Sequence, residues 1–289
     1  MTDGILLVDK LEGPTSHDMV DRVRRALGTR RVGHTGTLDP FASGLLLLCV
    51  GRATRLAEYV LALPKTYRAV VRLGEQTDTD DRTGQVLARS DAWRTMTEEQ
   101  VRAALQRQRG TFAQLPPLYS AKKIGGERAY VRARRGEAVE RRPVRVTIER
   151  IELLAFRPPD VEIELTCSSG TYVRAVARDL GEDLGVGGHL HALRRTRIGP
   201  WSVEGALRDT DLDDPSKVRT ALLPPVFAVA HLPQLRLTDE VAARVRQGLD
   251  VPAPPDIERG AVALLDRTGA LLGVGTADGR VVRPRKILA

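Results

Sequence analysis

Two strongly alternating stretches, VRVTIERIELLAF at residues 144–156 and DVEIELTCSSG at residues 160–170, constrain the fold most strongly. In an extended chain successive side chains point to opposite faces, so each stretch presents one apolar and one polar face. Both therefore belong to a sheet with one covered face. The segment that follows, TYVRAVARDLGEDLG, has helical spacing and opens directly after a Ser-Ser-Gly turn. GILLVDK (4–10) and KTYRAVVRLG (65–74) read as further strands, and GLLLLCVG (44–51) as a strand that is apolar throughout and so buried.

Helices are expected between these strands. In GPTSHDMVDRVRRAL, Thr15 or Ser16 is the N-cap and Met19, Val20, Val23, Ala26 and Leu27 share one face. RATRLAEYVLAL reads as helical, and TEEQVRAALQRQRG opens on a capping-box threonine, Thr97. TDTDDRTGQV is turn-rich; its Asp78, Asp80 and Asp81 lack the glycine and distal glutamate of a calcium loop and are expected to be a solvated turn. Strands predominate and helices cover them. Regular strand–helix–strand alternation is absent, which disfavours a doubly wound parallel sheet.

From about residue 205 the chain turns acidic and turn-rich, with Pro-Pro at 224–225 and 254–255, so a boundary is expected near residue 231. Beyond it, LTDEVAARVRQG reads as a short helix and residues 260–288 as short strands joined by glycine turns. The chain has 45 basic against 37 acidic residues, a net charge of +8 carried mostly by arginine. Arginine's planar fork suits phosphate oxygens, so nucleic acid is a reasonable partner. Two isolated cysteines, Cys49 and Cys167, make neither a disulfide framework nor a zinc site and are expected in the core. No leader is visible at the N-terminus, and the longest apolar run is too short to span a bilayer, so a soluble, cytoplasmic protein is expected.

The stretch RRVGHTGTLDPFASGLL (30–46) holds the most chemistry. Asp39 before a proline can be a turn or cap residue. A phosphate loop is rejected, because the lysine is missing and the spacing is wrong. Asp39 can equally be a catalytic carboxylate on a rigid loop, with Gly33 and Gly36 letting backbone approach a ligand and His34 stacking beside it. Spacing leaves the turn and the catalytic readings open.

GHTGTLDPFASGLL resembles the active-site motif of the TruB family of tRNA pseudouridine synthases. The resemblance continues in order through LLVDKLEGPTSHDMVDRVRR (Lys10, Gly13, Thr15, Ser16), KTYRAVVRLGEQTDTDDRTG (Tyr67), PPLYSAKKIGGERAYVRARRGEAVE, CSSGTYVRAVARDLGEDLG (Tyr172, Arg174) and HLHALRRTRIGPW (Leu193, Arg194). It covers roughly residues 4 to 205. Lys122, where the family commonly has an apolar residue, is a small departure that leaves the catalytic positions intact.

The resemblance implies an α+β fold: a mixed, mostly antiparallel sheet flanked by helices over residues 1–230, with an RNA-clamping insertion at about 120–146, and a small β-rich PUA-like domain at 231–289. It implies isomerisation of uridine to pseudouridine at position 55 in the T loop of tRNA, after the base is flipped from its stack. No cofactor and no metal are expected. Asp39 would be the nucleophile, kept ionised by Arg174. Tyr67 would stack on the target base and help remove the C5 proton. Tyr172 and Leu193 would wall the base pocket, and His34 would take the place of the flipped base.

Lys10, Gly36 and Arg194 would also contact RNA. Lys123, Arg128 and Arg132, within the basic run from Lys122 to Arg145, would clamp the T arm. Arg280, Arg283, Arg285 and Lys286 could touch the acceptor stem or guard an edge strand. A stand-alone monomer without an obligate protein partner is expected. The alternatives are a non-catalytic RNA-binding protein, a relative that works with a guide RNA, and a nucleoside hydrolase. The last would want a second catalytic carboxylate.

Overall fold

The computed structural model describes residues 2–119, 123–124, 127–128 and 141–288. Arg132 lies outside the described residues, as do Lys122, Arg134 and Arg135; for Lys123 and Arg128 only the backbone is described.

The chain runs β1 (Gly4–Lys10), α1 (Ser16–Leu27), β2 (Val32–His34), β3 (Ser43–Val50), α2 (Ala57–Leu61), β4 (Lys65–Leu73), β5 (Glu75–Thr77), β6 (Val86–Arg89) and α3 (Glu98–Arg107). It continues with β7 (Gly110–Gln114), β8 (Lys123–Ile124), β9 (Glu127–Arg128), β10 (Val144–Arg157), β11 (Asp160–Cys167), α4 (Val173–Asp183), β12 (Gly188–Ile198), β13 (Trp201–Ser202) and β14 (Leu207–Arg208). The C-terminal part holds α5 (Pro215–Thr220), β15 (Gln234–Arg236), α6 (Asp239–Arg246), β16 (Val251–Pro252), β17 (Gly260–Leu265), β18 (Leu271–Ala277) and β19 (Val281–Ile287). Two compact units result. One comprises Met1–Asp39, Leu45–Ala62 and Ser202–Ala289; the other comprises Pro40–Gly44 and Leu63–Trp201.

In the second unit the alternating stretches pair as expected. β10 and β11 are antiparallel neighbours, β11 pairs antiparallel with β4, β4 with β12, and β10 with β7. β12 meets the start of β3 in parallel, and an isolated parallel bridge joins Asp81 to Leu190. The period of two places Tyr67, Ala69, Val71 and Leu73 of β4 beside Val161, Ile163 and Leu165 of β11 on one buried face. A one-residue slip would expose that whole set, so burial fixes the register. α3 packs on β10 and α4 on β12, each through an amphipathic face. The mixed, mostly antiparallel α+β expectation is met.

Two elements differ from the sequence reading. β12 was not anticipated, although it pairs along nearly the whole of β4. Its pattern is hidden because bulges between Leu190 and Ala192 and between Arg195 and Arg197 shift the register, and Arg195 occupies an inner position. The helix expected over RATRLAEYVLAL is a 3-10 turn at Gly51–Leu56 followed by the short α2, cut off ahead of Pro64.

In the first unit, β1 lies between β14 and β3, and β2 pairs antiparallel with β3. α1 begins as expected: Thr15 caps it in a reciprocal box with Asp18, and Met19, Val20, Val23 and Ala26 are buried. The C-terminal strands form a separate five-stranded sheet, ordered β15-β17-β18-β19-β16. Its core includes Leu237, Val245, Val262, Leu264 and Val282, with α6 contributing Ala242 and Val245.

Candidate active site

The loop between β2 and β3 is held where the sequence pointed. Thr35 is buried and its backbone N–H donates to the Leu47 carbonyl at 3.0 Å. The Leu38 N–H donates to Ser16 Oγ at 2.9 Å, while the same hydroxyl donates to the Leu38 carbonyl at 3.1 Å. One buried side chain at the start of α1 therefore satisfies both backbone groups of the residue before Asp39. Gly36 has a φ of 121°, a conformation that only glycine adopts readily. Asp39 itself is half-buried, as is His34 at the end of β2.

Lys10 is fully buried, with its ammonium donating to the carbonyls of Leu11 at 2.8 Å and Pro14 at 2.9 Å. It organises the turn ahead of α1 rather than presenting a surface cation. Asp209 reinforces that turn by accepting from the Leu11 N–H at 2.8 Å.

In the second unit, α4 carries Arg174 in its first turn. The backbone of Tyr172 is fixed by Gln114, whose amide oxygen accepts from Tyr172 N at 2.9 Å and whose amide nitrogen donates to Tyr172 O at 3.1 Å. Gln114 is buried, so this exchange takes the place of a side-chain cap. Arg174 donates to the carbonyls of Thr79 and Tyr119, each at 3.0 Å, and pairs with Asp81 at 3.4 Å. One turn on, Arg178 donates to Asp80 and to the Leu115 carbonyl, each at 3.0 Å.

The expectation that Asp78, Asp80 and Asp81 form a solvated turn is therefore corrected. Asp81 is 4% exposed, and its carboxylate also accepts from Thr79 Oγ1 and the Thr83 N–H, each at 2.9 Å. Asp80 adopts a left-handed φ of 60°, which aspartate tolerates better than most residues. Burial pushes its pKa up, and the charges of Arg178 and Arg174 pull it back. Asp81 is a functional candidate that sequence reasoning missed, because its partner Arg174 lies on a distant element.

Tyr67 sits on the buried face of β4 at 9% exposure. Directly opposite it stand Leu165 of β11 and Arg195 of β12, while Leu193 of β12 stands opposite Ala69. Tyr67 and Leu193 thus share one covered face. Arg194 is half-buried, with its guanidinium 3.5 Å from Ser43 Oγ, whereas Arg195 is 1% exposed. At Gly44, with φ 103°, an added Cβ would fall 2.2 Å from the Arg195 carbonyl, so β3 and β12 meet backbone to backbone.

Lys65, on the same face as Tyr67, is pushed down to about 8, first by burial and then by the charge of Arg195. Burial pushes the thiols of Cys49 and Cys167 up to about 12 and about 11, as befits inert core residues. Arg141, Arg142 and Arg145 of the basic run are exposed. Among the described residues no helix is long and apolar enough to cross a membrane.

Three family models match the chain. They are TruB family pseudouridylate synthase (N terminal domain) over residues 24–173, tRNA pseudouridylate synthase B C-terminal domain over 174–224, and Pseudouridine synthase II TruB, C-terminal, over 233–288. A tRNA pseudouridine synthase B of Cutibacterium acnes is 45% identical, covering 96% of this chain and 94% of the relative. The protein of that name from Pseudomonas aeruginosa is 40% identical, covering 99% and 95%. Among solved structures, a Cbf5-Nop10-Gar1 complex matches with a TM-score of 0.78 at 29% identity, covering 99% of this chain and 85% of that one. An H/ACA RNP bound to a substrate RNA containing 2'-deoxyuridine matches with a TM-score of 0.77 at 26% identity, covering 99% and 85%.

Proposed function

The chain belongs to the TruB family of tRNA pseudouridine synthases, and on that premise we propose that Asp39, Tyr67 and Arg174 carry the conversion of uridine to pseudouridine at position 55 of the tRNA T loop. The enzyme is an isomerase: the bond from ribose C1′ to uracil N1 breaks, the base turns, and a bond to C5 replaces it.

Asp39 is the nucleophile. The observation that supports this role is the clamp of Ser16 on both backbone groups of Leu38, which holds the main chain leading into Asp39. Arg174 keeps the nucleophile ionised, and its own guanidinium is anchored by Asp81 and two carbonyls. Tyr67 stacks on the flipped uracil and accepts the proton from C5; Leu193 on the same covered face and Tyr172 at the start of α4 enclose the base. Flipping costs a few kcal/mol, offset in part by stacking worth about 1–3 kcal/mol per base. His34 fills the gap left in the loop, with Gly36 allowing close backbone approach.

The T arm is gripped by the basic run that includes Lys123, Arg128, Arg132 and Arg145, with Arg194 and Lys10 supporting the RNA-facing segments. The protein works alone in the cytoplasm, as a monomer. That reading follows the curated relatives named for a tRNA synthase at 40% and 45% identity, against 26% and 29% for chains solved in ribonucleoprotein complexes. Residues 231–289 serve as an accessory module whose basic strand β19 approaches the acceptor stem.

The test is incubation with an unmodified tRNA transcript, without cofactor or metal, followed by mapping of pseudouridine. One equal-mass isomer at T-loop position 55 is expected. Asp39→Asn, nearly the same size but uncharged, should slow its formation by about 10³-fold or more, roughly 4 kcal/mol of transition-state stabilisation. Near-normal turnover in that variant would reduce Asp39 to a turn residue.

A further inference from the structure

α4 begins without a cap from its own sequence. Tyr172 stands at the N-cap in extended backbone, φ −99° and ψ 109°, and makes no side-chain hydrogen bond to the helix. The hydroxyl of Thr171, one residue earlier, donates to the Ser168 carbonyl at 2.9 Å and belongs to the preceding turn. The cap comes instead from the end of β7. Gln114 is 1% exposed, and both ends of its carboxamide meet the main chain of Tyr172. An extended residue turns its N–H and C=O to the same side, where one carboxamide can accept from the first and donate to the second. A backbone N–H only donates, so the amide has a single orientation: Oε1 faces Tyr172 N and Nε2 faces Tyr172 O. The same carbonyl accepts the first helical bond, from the Val176 N–H at 3.2 Å.

The residues after Gln114 continue the seam. The Leu115 carbonyl accepts from Arg178 and the Tyr119 carbonyl from Arg174, each at 3.0 Å. The stretch that leads into the basic run is thus tied to α4 at three points. A buried carboxamide costs free energy unless its donor and acceptor are both satisfied, and here the main chain of Tyr172 satisfies both. A second glutamine reaches the same helix differently: Gln108, half-buried, donates to the Val176 carbonyl at 3.3 Å, one turn beyond Tyr172.

Building on the reading of Tyr172 as a wall of the base pocket, we propose that Gln114 is a positioning residue for Tyr172: its carboxamide holds that residue's backbone in the extended form from which the side chain encloses the flipped uracil. A wall orients a base only if its own main chain cannot swing, and a misplacement of about 1 Å can cost roughly 100-fold in rate. The clamp is closed in the free protein, so it acts on the geometry of the reacting base. Affinity for tRNA, set mainly by phosphate contacts elsewhere, does not depend on it.

The test compares Gln114→Met with Gln108→Met in the full chain, at a temperature where unfolding curves show both to be folded. Amide hydrogen exchange at Tyr172 is read in the free protein, and single-turnover pseudouridine formation and Kd are read with a tRNA transcript. Gln114→Met should speed exchange at the Tyr172 N–H by about tenfold or more. It should slow the single turnover by about tenfold or more while Kd stays within about twofold of wild type. Gln108→Met, which removes a bond to the same helix but not to Tyr172, should change none of the three. If Gln114→Met does not fold, Gln114→Glu takes its place: the carboxylate repels the Tyr172 carbonyl, and the same slowing at unchanged Kd is expected. Unchanged exchange at Tyr172, or equal slowing in Gln108→Met, overturns the proposal. Tyr172→Ala separates it from the reading beneath it. Full turnover by Tyr172→Ala sinks the pocket role and the positioning role together, whereas a slow Tyr172→Ala beside a Gln114→Met of normal rate sinks the positioning role alone.

Discussion

Arg174 and Asp81 form an ion pair at 3.4 Å in which both side chains are more than nine-tenths buried. The pair ties the start of α4 to the turn between β5 and β6. Such a pair adds little over an apolar isostere, but removing one partner strands a charge and costs about 3–5 kcal/mol. Asp81→Ala should therefore lose that much in denaturant unfolding and most of its pseudouridine formation. A loss under about 1 kcal/mol would show that the turn is held by its backbone contacts alone.

Ser16→Ala removes the hydroxyl that serves both backbone groups of Leu38. An unsatisfied buried N–H costs about 1–3 kcal/mol. Because the loss falls beside Asp39, kcat should drop while KM for tRNA stays close to wild type. An unchanged kcat would mean that the loop keeps its shape without the clamp.

Arg72 and Asp160 face each other across β4 and β11 with two parallel contacts of 2.8 Å. The guanidinium beside Asp160 holds its carboxyl below the usual carboxylate range. A carboxyl lowered in the folded state binds fewer protons than in the unfolded chain. Its contribution is therefore present above the ordinary value of about 3.9 and is lost as pH falls through the lower folded value. Asp160→Asn should be less stable than wild type at neutral pH, and the gap should close on acidification. A gap of constant size across a pH series of unfolding curves would refute an ionic origin.

Arg141 and Arg145 are exposed at the C-terminal end of the basic run. Reversing both to glutamate should raise KM far more than it lowers kcat, and flatten the dependence of affinity on salt by about one phosphate contact per residue. A KM equal to wild type at physiological salt would mark them as ordinary surface.

Much of the fold is legible in the sequence because its strongest signals are local. Alternation in β4, β10 and β11, the capping boxes at Thr15 and Thr97, and the apolar run of β3 each follow from a few neighbouring residues. β12 was hidden because its two bulges break the period and its inner positions include Arg195. The same limit applies at the site. Asp39, Tyr67 and Arg174 stand out through motif resemblance, but the partner of Arg174 at Asp81 depends on a long-range fold that brings residue 81 to residue 174. Acidic residues between turn formers look solvated until arginines from another element are known to cover them.

The contact between Gly44 and Arg195 is specified by the lack of an atom. A side chain there would push the strand leading out of the Asp39 loop off its neighbour, and no rotamer could relieve a clash with main chain. In a saturation library selected for function, position 44 should return glycine alone. Gly28, at φ 63° with open space around it, should by contrast admit asparagine. The tolerance map of this enzyme would then be narrowest where two strands touch, at a position that carries no reacting group.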